Sequence, residues 1–118
     1  MIKNKVVAID FDGTITKENL YPKIGEIRED VKRVINKIAK NNIVCIWTCR
    51  EGKELNDAFN FLNQKEIMFH YLNYSPYDRL NKDMRKIIAD YYIDDRNIFC
   101  NGNVNWKEIE KYFDEHNE

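Results

Sequence analysis

The sequence predicts an α/β layer fold built on a mainly parallel central sheet. Three observations carry that expectation. Short, continuous apolar runs alternate with segments of helical periodicity, the pattern of strands buried on both faces and joined through helices. The runs end abruptly in polar or acidic residues. Finally, 118 residues, 43% hydrophobic and 33% charged, amount to one globular domain able to bury its own core.

The first run, Val6-Val7-Ala8-Ile9, stops at Asp10 and Asp12. Residues 13–27 mix Gly, Thr, Pro and polar side chains and read as a loop or small flap. Val31, Val34, Ile35, Ile38 and Ala39 then recur at the spacing of one helix face, and Asn41-Asn42 ends that helix. Ile43-Val44-Cys45-Ile46-Trp47 is a second buried-strand run, followed by Thr48-Cys49-Arg50. Leu55, Ala58, Phe59 and Leu62 mark a second amphipathic helix, and Met68-Phe69-His70-Tyr71-Leu72 a weaker strand. Leu80, Met84, Ile87 and Ile88 suggest a short third helix. Tyr91-Tyr92-Ile93 is another apolar run ending in acid, at Asp94-Asp95, and Ile98-Phe99-Cys100 is expected as a last short strand. Trp106, Ile109 and Phe113 form the stripe of a C-terminal helix, which Asn105 can cap.

No repeat, low-complexity linker or Pro/Gly-rich hinge divides the chain, so residues 1–118 are expected to be one unit. A formal net charge of -1, with no evident basic face, gives no support for nucleic-acid binding. The apolar runs are too short to cross a bilayer, and Met1-Ile2-Lys3-Asn4-Lys5 does not lead into a signal-peptide core. Cys45, Cys49 and Cys100 cannot all pair with one another and lack the spacing of a zinc site, which fits a reduced, cytoplasmic setting.

Open α/β sheets place their ligands at the carboxyl ends of the strands. Three such ends carry chemistry here. Asp10-x-Asp12 holds two carboxylates close together just after a buried strand, where they repel unless a proton or cation lies between them. A hard divalent ion, Mg²⁺ above all, suits oxygen ligands of this kind. One carboxylate can then attack phosphorus, and the other can protonate the leaving oxygen and deprotonate the attacking water. Gly13 permits close backbone approach to an anion, and Thr14 offers a hydroxyl beside it. A calcium loop is the competing reading, but its twelfth position calls for Glu and Tyr21 stands there. A plain acidic turn leaves the buried strand before it unexplained.

At the second strand end, the Thr48 hydroxyl and neighbouring N–H groups, with Cys49 next in line, could hold a phosphoryl oxygen, and Arg50 could add a bidentate clamp. Taken alone, Thr48 reads most often as just a strand residue and Arg50 can be a surface charge; the weight of the pair comes from matching Asp10 in position. At the third, Asp94 would complete the metal site and Asp95 could orient a water ligand or a lysine; a solvated turn is the alternative. A phosphoryl-transfer site this acidic also calls for a fixed cation, for which Lys82 and Lys86 are candidates.

Together these residues resemble the haloacid dehalogenase (HAD) superfamily, whose members are mostly phosphatases on a Rossmann-like core. Val6 through Thr14 looks like the first motif, Ile46-Trp47-Thr48 like the second, Lys86 like the third and Ile93-Asp94-Asp95 like the fourth. The resemblance implies a three-layer sandwich with Asp10 as nucleophile, Asp12 as general acid/base and Thr48 and Lys86 on the phosphate. It implies Mg²⁺ held by Asp10, the Asp12 carbonyl and Asp94, with Asp95 beside them. An acid two residues after the nucleophile is similar to the phosphatase branch. The closeness of Lys86 to the acidic pair resembles a small-phosphatase subgroup and favours it over Lys82. No stretch is long enough for a cap domain. Capless members often act on large substrates or borrow a neighbouring subunit as a lid, so a homo-oligomer is worth testing.

The expected activity is therefore Mg²⁺-dependent hydrolysis of a phosphate monoester, on a small molecule, a nucleotide or a macromolecule. A metal- and phosphate-binding regulatory module with little turnover is a second reading. A phosphotransferase serving an acceptor other than water is a third.

Overall fold

The computed structural model describes residues 1–77 and 87–117. Within them lie four strands and three helices: β1 (Val6–Asp10), α1 (Val31–Ala39), β2 (Ile43–Trp47), α2 (Gly52–Gln64), β3 (Tyr71–Leu72), β4 (Tyr91–Ile93) and α3 (Trp106–Glu115). The strands form one parallel sheet in the order β3-β2-β1-β4. β1 is central because it is apolar on both faces, and Val6 through Ile9 are all buried.

Alternation along the strands divides the core. Val7, Ile9, Val44 and Ile46 join the apolar stripes of α1, α2 and α3 in one cluster. Val6, Ala8 and Cys45 point the other way and meet Ile87 in a second. The α1 stripe is the expected one, with Val31, Val34, Ile35, Ile38 and Ala39 all buried. Asn105 caps α3 as expected, its Oδ1 accepting the Glu108 N–H at 3.2 Å. Outside this core, Arg33 and Lys37 of α1 pair with Glu110 and Asp114 of α3, a surface network that sets helix orientation more than it adds stability.

Two expected elements differ. The strand at 68–72 shrinks to Tyr71–Leu72 because the His70 ring, through Nδ1, takes the Val44 N–H at 2.9 Å. Ile98-Phe99-Cys100 is no strand. Turns closed by Cys100 N to Asn97 O and Asn103 N to Cys100 O, with Asn101 and Gly102 at positive φ, leave Phe99 95% exposed. Leu80 and Met84 of the expected third helix, with Lys82 and Lys86, lie outside the described residues. Among those described, no helix is long and apolar enough to cross a membrane.

Register positions the site. Ile9 stands opposite both Ile46 and Ile93, so the chain leaves β1, β2 and β4 at one edge of the sheet. Asp10, Thr48 and Asp94 are carried there together.

Candidate active site

Asp10 closes β1, and Asp94 and Asp95 follow β4 directly. One carboxylate oxygen from each of the three lies within 4.8 Å of the others. Thr14, fully buried, ties the two strand ends together. Its Oγ1 donates to Asp10 Oδ2 at 2.9 Å and accepts the Asp95 N–H, also at 2.9 Å. The hydroxyl that the sequence offers to an anion is thus engaged between two acids.

Gly13 makes this approach possible. Its φ is +86°, and a Cβ there would collide with Asp95 Oδ2. Its N–H is turned inward to Thr16 Oγ1 at 3.0 Å.

Burial pushes the Asp10 carboxyl up to about 7, against the Thr14 hydrogen bond and with help from the charges of Asp94, Asp95 and Asp12. Asp95 is raised as well, by burial first and then by Asp94. An all-oxygen set of three crowded carboxylates is the donor chemistry of a hard divalent cation, and a bound cation offsets both the burial that raises Asp10 and the repulsion that adds to it. The residues present fit Mg²⁺. The Asp12 carboxylate does not belong to this cluster.

Asp12 is instead held by Arg50. Arg50 Nε donates to Asp12 Oδ2 and Nη2 to Oδ1, each at 2.7 Å. The remaining N–H groups reach the carbonyls of Pro22 at 3.1 Å, Lys23 at 2.8 Å and Glu54 at 3.4 Å. All five guanidinium N–H donors are committed. In place of the expected anion clamp, Arg50 is a buried brace between the loop after β1, the flap and α2.

Thr48 is buried, with its N–H donated to Asn73 Oδ1 at 2.8 Å and its Oγ1 accepting the Arg50 N–H at 3.1 Å. The hydroxyl proton is left to donate. Cys49 is exposed. Thr48, Cys49, Asp12, Arg50, Asn19 and Tyr21 line a cleft of about 370 Å³ under the flap. Lys82 and Lys86, the two candidates for the balancing cation, fall outside the described residues.

Three contributors escaped the sequence reading. Arg28 donates to Gly13 O at 2.7 Å and Gly102 O at 3.1 Å, joining the loops that follow Asp10 and Asp95. Trp106 Nε1 donates to Thr14 O at 3.0 Å inside the core. Asn73 holds Thr48 as described. For Trp106 a signal existed, since a buried indole N–H needs an acceptor. Arg28 and Asn73 carry no local pattern.

No family model matches the chain, and no curated protein matches it. Among solved structures, a conserved protein from Bacteroides thetaiotaomicron is similar at 30% identity and a TM-score of 0.81, over 96% of this chain and 92% of that one. At that identity and coverage, the chain belongs to the same family as this conserved Bacteroides protein.

Proposed function

We propose that the protein is a Mg²⁺-dependent phosphatase, HAD-like in its chemistry, that hydrolyses a phosphate monoester through an aspartyl-phosphate on Asp10. One observation carries the reading: the Asp10 carboxylate meets Asp94 and Asp95 within 4.8 Å where β1 and β4 end side by side. Asp10, Asp94 and Asp95 would hold the ion. Bound there, Mg²⁺ would neutralise the acids and offset charge on the phosphoryl oxygens.

An Asp10 oxygen attacks phosphorus, and the bond from phosphorus to the ester oxygen breaks. Asp12, a carboxylate that lines the cleft, takes up a proton from solvent as the ester binds and passes it to the departing alcohol. Asp12 then takes a proton from water, whose oxygen attacks phosphorus and releases orthophosphate and Asp10. Thr48 donates its hydroxyl proton to a phosphoryl oxygen. A three-layer sandwich belongs to the same reading, because the second apolar face at Val6, Ala8 and Cys45 calls for a covering layer. A cytoplasmic setting is supported by Cys45, Cys49 and Cys100 forming no disulfide.

A second reading, a metal- and phosphate-binding module with little turnover, draws on the engagement of both Asp12 oxygens by Arg50. Phosphate release from p-nitrophenyl phosphate with Mg²⁺ separates the two. The phosphatase reading expects turnover that chelator stops and Asp10→Asn abolishes, and beryllofluoride trapped on Asp10. Absence of turnover across a broad phosphoester panel gives the second reading its place. Transfer to added glycerol in preference to water would indicate a phosphotransferase.

A further inference from the structure

Residues 20–23 are exposed, Tyr21 56% so. Apart from a local bond from the Tyr21 N–H to Asn19 Oδ1 at 3.1 Å, the hydrogen bonds among the described residues that join this tip to the rest of the protein are those Arg50 donates to the Pro22 and Lys23 carbonyls. The Arg50 guanidinium also lies over the Tyr21 ring, 5.2 Å from its centroid, and over the Phe11 ring at 5.5 Å. The same guanidinium holds both oxygens of Asp12. The flap tip and Asp12 therefore share one anchor, itself 2% exposed.

We propose that Arg50 is a positioning residue that binds Asp12 and the flap into one unit, so that the acid is aimed into the cleft only while residues 20–23 are seated over it. The proposal rests on the reading of Asp12 as proton donor to the leaving group. Its chemistry follows from the fork. A planar guanidinium fixes the carboxylate in orientation as well as distance, whereas a lysine ammonium in its place can do neither at two oxygens and two carbonyls at once. Lifting the tip would remove two of the acceptors that keep Arg50 in place, and Asp12 would lose its aim with it. Specificity for the leaving group would then reside in what the seated flap accepts, through Asn19 and Tyr21 at the cleft wall.

The test uses the full chain as wild type, Arg50→Lys and Asp12→Asn, each first shown to melt cooperatively. Amide exchange reads the coupling without any need for activity. The Lys23 N–H, which closes a turn to Leu20 O at 2.9 Å, is the reporter. Both variants are expected to speed its exchange about tenfold or more while β1 and β2 amides keep their protection. Rates on a series of phosphate esters read the aim of the acid. With Mg²⁺, Arg50→Lys is expected to lose about tenfold or more on alkyl phosphates, which need a proton on the leaving oxygen, and little on p-nitrophenyl phosphate, which does not.

Unchanged Lys23 exchange in both variants overturns the proposal. Equal losses on alkyl and aryl esters also overturn it, leaving Arg50 a merely structural group. If wild type hydrolyses none of the esters, the phosphatase reading fails by that result alone, and the exchange measurement still decides whether flap and Asp12 are coupled.

Discussion

Arg50 forks both oxygens of Asp12 at 2.7 Å, with only 1% of the arginine side chain and 10% of the aspartate side chain exposed. Asp10, two residues away, has the opposite surroundings: three acids, and no described cation among the groups that shift it. One carboxylate is held by attraction, the other is buried first and then repelled by its neighbours, and their substitutions should differ in sign.

Asp12→Ala removes the partner of a buried cation. The expected cost is about 3–5 kcal/mol, because Arg50 keeps its desolvation penalty and loses its compensation. Urea unfolding at neutral pH measures it. A loss under about 1 kcal/mol would mean that Arg50 finds water or another acceptor and that the pair is not a structural anchor.

Asp10→Asn should stabilise the metal-free protein, in a pH-dependent way. The folded carboxyl titrates near 7, against 3.8 for its ordinary value, so the native state binds the proton more firmly than the unfolded chain. That contribution is fully present below 3.8 and is lost as pH rises to about 7. Asparagine has nothing to lose. In chelator, the melting temperature of Asp10→Asn relative to wild type should climb by about 5 °C or more between pH 4 and pH 8. A difference that stays flat across this range would show that Asp10 is neither buried nor crowded enough to hold its proton.

Metal binding should follow the same titration. The ion and the Asp10 proton compete, so Mg²⁺ affinity should weaken roughly tenfold per pH unit once pH falls below about 7. Calorimetric titration checks this, and Mg²⁺ should raise the wild-type melting temperature at pH 8. Asp94→Asn, which leaves Asp10 and the flap in place, should lose most of that rise. Retention of the full rise would put the ion elsewhere.

Gly13→Ala should disrupt the cluster from the backbone. The added methyl meets Asp95 Oδ2, and the residue must hold a φ of +86° that an L side chain resists. A stability loss of about 1–3 kcal/mol is expected, with the Mg²⁺ response abolished. If the Mg²⁺ response survives unchanged, Asp95 does not help to form the site.

Several parts of this molecule are legible locally. The period of α1 and its buried stripe, the apolar run of β1 and the Asn105 cap each depend on residues within a few positions of one another, so their pattern is visible along the chain. Asp10, Asp94 and Asp95 are legible for the same reason, as acids that interrupt buried runs. The strand expected at 98–100 failed on local grounds too: three apolar residues between Asn97 and Asn101-Gly102 are outweighed by the turns that those flanking residues favour.

The sequence by itself determined the layer class, the central strand and the presence of acids at two strand ends, because burial periodicity and an acid placed against it are properties of neighbouring residues. Only the tertiary structure decided what those acids do to one another. Parallel register brings Asp10 level with Asp94 across some eighty residues of chain, and Thr14 bridges Asp10 to Asp95 over a similar separation. Arg50 shows the difference most clearly: in sequence it is a cation after a strand, open to an anion. In the folded chain its donors are exhausted by Asp12 and the carbonyls of Pro22, Lys23 and Glu54, because a buried guanidinium must satisfy every N–H with whatever the fold brings within reach.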